Sequence, residues 1–306
     1  MSARDATVPD GFREKPVARD FADIDRSTLQ PPIKGPSALG TDVRRMMGLA
    51  WTMATSEFKL RFYGSVLGYF WQLARPMLLF GVLMVVFTVV VRLGNDVELY
   101  GPTLLLGIVL FTFLGDATGG AVSAMVDREN LVRKIDFPRM AVPISVVILA
   151  SFNLVLNLIP VLIFLLASGA EIRWTWLELP ILMVLLALLC IAIAMILSAL
   201  YVRFRDVRPI WEVVLQAAFY GSGVLVPVQA IQAQFGDTIE RILMMNPFSA
   251  ILQQARHAMI APSHPSALDS AGAWWVLLIP AAILVGLLVG GFWYFNREAP
   301  RIAERL

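Results

Sequence analysis

DRENLVRKIDFPRMAVP, residues 127–143, is the one strongly charged stretch between two long apolar runs in the first half of the hydrophobic region. It carries Arg128, Arg133, Lys134 and Arg139. Short loops rich in Lys and Arg stay on the cytoplasmic side of a membrane, so this loop orients everything around it. Asp127 is placed to cap a short helix, and Glu129 adds favourable charge in the first turn. Leu131, Val132 and Ile135 fall on one face, and Pro138 ends the run. Two readings follow: a basic loop that only sets topology, or an amphipathic helix that docks on a cytoplasmic partner.

Outward from the loop, the chain is apolar. The 306 residues are 58% hydrophobic and 16% charged, with a mean hydropathy of +0.71. A soluble domain is roughly 45–50% apolar, so these values specify an integral membrane protein. The charged residues show no basic block interleaved with aromatics, and nucleic acid is not an expected partner. The single cysteine, Cys190, lies inside an apolar run and excludes both an intrachain disulfide and a thiolate metal cluster. His257 and His264 lie close together without a carboxylate in a ligand pattern, which argues against a metal site.

Six spans are predicted, all α-helical: Pro76–Val91, Leu99–Met125, Met140–Ala167, Leu177–Tyr201, Ile210–Val228 and Trp274–Phe295. Arg75 and Arg92 bracket the first at roughly 26 Å along a helix axis, close to the hydrocarbon thickness. The second contains Asp116 among glycines. Its depth of roughly 24 Å from the outer end puts it near the cytoplasmic interface, where a partnered carboxylate is expected. Asn153 and Asn157, four apart in the third, should meet another helix or the transport path. The fifth is interrupted by GSGVLVP at 221–227, where glycines and Pro227 break a helix before it crosses fully. Backbone broken at membrane depth is tolerated only against protein or a water-filled cavity. The stretch that follows reads as one or two short helices, parted at Asn246 and Pro247, that dip into the outer leaflet. A plain external loop is the alternative.

Before the spans, residues 1–38 read as a disordered cytoplasmic arm without the apolar core of a signal peptide. Residues 39–75 read as an amphipathic interfacial helix and the approach to the membrane. On that helix Val43, Met46, Met47, Ala50, Trp51, Ala54 and Phe58 share a face. Residues 76–295 form the transmembrane domain and 296–306 a cytoplasmic tail. Of 25 Lys and Arg, all but Arg92, Arg173, Arg241 and Arg256 fall in segments assigned to the cytoplasm, with both termini there.

Catalytic motifs are missing from the sequence. None of the lysines follows a glycine, so no Walker A phosphate loop is present, and HExxH, GxSxG and CxxC do not occur. Energy for uphill movement must come from a partner.

Three stretches carry a resemblance: FKLRFYGSVLGYFWQLARPML at 58–78, ENLVRKIDFPRMAVP at 129–143 and MNPFSAILQQAR at 245–256. In this order, with six spans, the chain resembles the membrane subunit of an ABC-2-type transporter. The resemblance is to the branch that exports polysaccharides such as O-antigen, teichoic acid, capsule or galactan precursors. It implies a homodimer in the bacterial inner membrane, surrounded by lipid, with two copies of a cytoplasmic ATPase that hold ATP and Mg. It also implies a lipid-linked glycan as cargo, in lipopolysaccharide or cell-wall biogenesis.

This chain would then hold no cofactor of its own and would not be an enzyme. By the same resemblance, 39–61 and the loop residues Glu129, Asn130, Leu131, Arg133, Lys134, Phe137, Pro138 and Arg139 contact the ATPase. The re-entrant gate maps to 221–259, with Gly221, Gly223, Pro227, Asn246, Pro247 and Arg256. Phe80, Phe87, Trp211, Phe219 and Tyr220 are candidates to stack on sugars along the path, or else to pack helices or face lipid. An ABC-2 permease for a drug or small lipid, and a membrane enzyme acting on polyprenyl-linked sugars, are the alternatives.

Overall fold

The computed structural model describes residues 42–62, 66–91, 99–132, 137–261 and 263–305. The arm expected at 1–38, Arg92, Arg133 and Lys134 lie outside these residues. The regular structure among the described residues is all helical, with no strand among them.

Helix α1 (Val43–Phe62) opens at Asp42, whose Oδ1 accepts the Arg44 N–H at 2.9 Å. The apolar face expected of it divides in two. Met46, Ala50 and Ala54 are buried, whereas Val43, Met47 and Trp51 are exposed. The small residues let α1 lie close on α5 (Ala141–Ala167), where Trp51 and Phe58 meet Phe152 edge-on at 5.2 and 5.5 Å. The exposed half suits the membrane interface.

Helix α2 (Val66–Val85) begins ten residues before Pro76, the expected start of the first span, and carries that proline inside it. It continues as a π-helical turn at Val86–Val90. Leu78, Val82 and Val85 are exposed, as lipid-facing residues are. Helix α3 (Tyr100–Asp127) is the opposite case, buried on almost every side along its length. A helix apolar all round belongs in the middle. It packs against α2, α5, α6 (Glu178–Arg203) and α7 (Val207–Gly221).

Helix α4 (Glu129–Val132) follows α3 at once. The last helix, α12 (Leu278–Arg305), lies along α6. Gly291 makes that contact close: a Cβ there would sit 2.8 Å from the Ala192 carbonyl oxygen.

Five helical segments are long and apolar enough to cross a membrane: Phe70–Val90, Tyr100–Asp127, Ala141–Ala167, Trp174–Arg203 and Trp274–Ile302. The fifth expected span differs. Its helix, α7, has 15 residues, or about 22 Å, and ends at the glycine-rich turn. It nevertheless runs antiparallel to α3. The Trp211 indole N–H donates to Thr118 Oγ1 at 3.0 Å. Phe219 lies 5.1 Å from Phe111. Beyond the helix end, Tyr100 donates its hydroxyl hydrogen to the Leu225 carbonyl at 3.0 Å. Four short helices follow: α8 (Val228–Phe235), α9 (Asp237–Met244), α10 (Pro247–Met259) and α11 (Ala267–Ala271). They gather at the end of the bundle where α3 and α6 begin. There Thr175 donates to the Ala258 carbonyl at 2.6 Å and Arg173 to the His257 carbonyl at 3.0 Å.

Candidate functional site

Three groups of residues deserve chemical scrutiny: the loop at one end of the bundle, a cleft in its middle, and the packed turn at the other end.

At the loop, Arg128 and Glu57 form an ion pair that ties α3 to α1. Arg61 lies 3.9 Å from the other Glu57 oxygen. Glu129 is half-buried, Asn130 exposed and Leu131 half-buried, while Val132 is fully enclosed. The structure places the remaining described loop residues inside the protein. Phe137, Pro138 and Arg139 are buried, Arg139 at 2% exposure. Phe137 belongs to the main apolar core with Met140 and Val132. These three support the loop from beneath, where surface contact with a partner had been expected of them. The reason is tertiary: α5 docks against α3, and Phe137 packs into their shared core with Val132 and Met140.

The cleft lies among α2, α3 and α7. A cavity of about 470 Å³ is lined by residues including Arg61, Trp71, Gln72, Arg75, Asp116 and Trp211. A second of about 420 Å³ passes Asp116 toward Arg128 and Asn153. A third of about 300 Å³ runs from Arg75 and Asp116 between Leu79, Phe111, Phe219 and Tyr220. Asp116 borders all three. The partner expected for it is not in contact. Among the described residues no side-chain hydrogen bond or ion pair closes on its carboxylate, and Arg75 and Arg61 line the same cavity. Glycine supplies the floor on α3, at Gly115, Gly119 and Gly120.

The aromatic residues proposed for a path separate here. Trp211, Phe219 and Tyr220 line the cleft. Phe80 instead packs edge-on against Phe164 at 5.4 Å, and Phe87 rests half-buried against the core. Of the two asparagines on α5, Asn157 donates to the Asn153 carbonyl at 2.9 Å within its own helix. Asn153 faces the second cavity.

At the opposite end, Arg256 on α10 is 1% exposed. Its Nη1 donates to the Gly223 carbonyl at 2.8 Å, and its Nη2 to the Val224 carbonyl at 2.9 Å and the Thr103 carbonyl at 3.4 Å. The carbonyls that the broken helix cannot pair within itself are thus taken by a guanidinium, whose planar fork reaches two at once. Gly107 on α3 leaves room for it, since a Cβ there would lie 3.0 Å from Nη2. Gly223 adopts φ +72, the left-handed region that a residue with a side chain enters at a cost.

Asn246 caps α10 by accepting the Phe248 N–H at 3.0 Å, and Pro247 occupies the first helical turn. The Asn246 amide also donates to Ser222 Oγ at 3.3 Å. Pro227 starts α8, and Gly221 ends α7 exposed to the surroundings. The expected gate residues therefore converge on one turn. Sequence reasoning missed Tyr100, Thr103 and Gly107, which complete it from more than a hundred residues away and carry no local signal. Arg75 was read only as a charge flanking the first span, and Arg61 only as the end of the 39–61 helix expected to contact the ATPase.

Residues 48–260 match the ABC-2 type transporter family. The chain is 30% identical over 259 residues to the O-antigen export system permease protein RfbA of Myxococcus xanthus, covering 85% of this chain and 95% of that protein. It is 21% identical over 209 residues to the O-antigen export system permease protein RfbA of Klebsiella pneumoniae, covering 68% and 78%. Matched over residues 48–260 by the family and over 85% of its length by a permease at 30% identity, the chain belongs to the ABC-2 type transporter membrane family.

Proposed function

We propose that this chain is the permease subunit of an ATP-driven exporter that moves a lipid-linked polysaccharide of the O-antigen type across the bacterial inner membrane. A separate cytoplasmic ATPase, holding ATP and Mg, drives it. Two copies of the chain and two of the ATPase make up the working unit, with both termini in the cytoplasm. The observation that carries this reading is the likeness to the Myxococcus xanthus permease along 85% of the chain.

Two structural features support the mechanical part. First, α7 and the turn after it follow α3 from Thr118 back to Tyr100. That is 18 residues of α3, or about 27 Å, which supports reading the segment as a sixth crossing completed by non-helical backbone. The carbonyls freed there are satisfied by Arg256 and Tyr100, as membrane depth demands. Second, the Glu57–Arg128 pair joins the interfacial helix to the loop after α3. A push delivered at Glu129 and Asn130 therefore reaches α1 and α3 together. Transmission through discrete, packed elements of this kind fits an ATPase stroke becoming a shift of whole helices.

Depletion of the chain in its native cell tests the reading. Polymer joined to its lipid carrier should build up on the cytoplasmic side, and nucleotide hydrolysis should require the co-purified ATPase. Accumulation of a small amphiphile in place of a polymer, or turnover of a lipid-linked sugar by this chain alone, would refute it.

A further inference from the structure

His264, in the link between α10 and α11, is 1% exposed, and its ring bridges two other elements. Nε2 lies 3.5 Å from Thr103 Oγ1 on α3, and Nδ1 lies 2.8 Å from the Gln229 amide nitrogen on α8. Thr103 already gives its hydroxyl hydrogen to the Leu99 carbonyl at 3.0 Å, so its oxygen accepts from Nε2–H. Nδ1 is then the bare nitrogen that accepts from the Gln229 amide. This pair of bonds requires the neutral ring.

The surroundings make a charged ring costly. Arg256 on α10 donates to the Thr103 carbonyl, so one residue links its guanidinium to the imidazole. The ionisable neighbour on α3 is Tyr100, a neutral phenol bonded to Leu225, and α8 carries no charged residue. On α10, His257 donates its Nδ1–H to the His264 carbonyl at 2.7 Å, a bond that protonation of either ring leaves intact. Arg173, ahead of α6, donates to the His257 carbonyl. The acids of this end are engaged with other groups. Glu178 accepts from Gln254 at 2.6 Å, Asp237 accepts from Gln232 at 3.1 Å, and Asp269 is held in the α11 cap by Ser266. Glu240 and Arg241 of α9 lie toward α11. A proton on Nδ1 would therefore face the Gln229 N–H and set a second buried cation beside Arg256. A half-turn of the amide restores the bond, since Gln229 Oε1 is buried without a partner, but the two like charges stay together.

We propose that His264 is a proton-sensitive latch: neutral, it ties α8 to α3, and protonated, it releases α8 and loosens the turn that Arg256 holds. A group bonded in its neutral form supports the closed arrangement at higher pH and gives up that support as pH falls. The inference goes beyond the exporter reading and takes from it only the side this end faces. The outlet then opens more readily toward an acidic exterior.

Hydrogen exchange on the transporter with its ATPase in nanodiscs, corrected for the intrinsic pH dependence of exchange, tests the latch. Protection of 228–235 should fall about tenfold between pH ~7.5 and ~5.5, a range that spans the ordinary imidazole value of ~6.5. The middle of α3 should hold its protection. His264→Gln should give a flat response, and His257→Gln should respond like the parent. Gln229→Glu supplies a carboxylate for the charged ring and should reverse the response, leaving α8 better protected at the lower pH. A reversal in one variant and a flat response in another are not the signature of general damage to the fold. A parent that does not respond, a response that persists in His264→Gln or vanishes in His257→Gln, or a Gln229→Glu variant that loosens in acid overturns the proposal. Each of these results leaves polymer accumulation on depletion untouched, so the latch can fail while the exporter reading stands.

Discussion

Replacing Arg256 with Lys probes how the turn after α7 is held. The parent guanidinium makes two short bonds, at 2.8 Å to the Gly223 carbonyl and 2.9 Å to the Val224 carbonyl. A lysine keeps the charge but is a point donor on a flexible stem, and it cannot reach two carbonyls with the geometry of the fork. One carbonyl is left buried and unpaired, a loss of ~2 kcal/mol, or about thirtyfold in a local opening equilibrium.

The segment 222–227 should therefore exchange its amide hydrogens about thirtyfold faster in Arg256→Lys. The amides in the middle of α3, whose partners are unchanged, should keep their rates. Hydrogen exchange with mass spectrometry on the purified transporter reads both regions at once. Gly107→Ala attacks the same clasp from the other side, because its new methyl would press on Nη2 at 3.0 Å and on the Val224 carbonyl at 3.2 Å. It should loosen the same segment. Unchanged exchange at 222–227 in both variants would refute the idea that Arg256 secures the turn.

Gly291→Ala should lower the melting temperature through a methyl forced to within 2.8 Å of the Ala192 carbonyl, at ~1–3 kcal/mol. Gly290→Ala, with nothing within 4 Å of its added carbon, should leave melting close to the parent. Breaking the Glu57–Arg128 pair by Glu57→Gln should change stability by ~1 kcal/mol or less, since Glu57 is partly exposed. It should nonetheless lower transport per ATP hydrolysed, measured in proteoliposomes, if the pair transmits force.

Asp269 is pulled below its ordinary 3.8, first by the hydroxyl of Ser266 and then by its backbone N–H, which form a capping box on α11. A carboxyl with a depressed folded value contributes fully above the unfolded value, and that contribution fades as pH falls through the folded one. Amide protection of α11 should accordingly fall on acidification below 3.8, and Asp269→Asn should remove that dependence.

Hydropathy alone was enough to identify a helical membrane protein. Runs such as ILMVLLALLCIAIAMIL at 181–197 have no soluble role, and the glycines and proline of 221–227 announced a break in the fifth span. Asp116 was visible as an anomaly for the same reason. These signals are local, written in composition and in residues that cannot continue a helix.

What completes the break was not legible. Tyr100, Thr103 and Gly107 meet the turn only because α3 lies antiparallel to α7, and Arg256 reaches it only because α10 folds back beneath. The loop at 127–143 divides the same way. Its basic character is local, whereas the burial of Phe137, Pro138 and Arg139 depends on how α5 docks against α3. A sequence specifies which backbone groups and charges require partners. The tertiary structure decides which distant residues supply them, because hydrogen bonds and packing act over a few ångströms and take no account of separation along the chain.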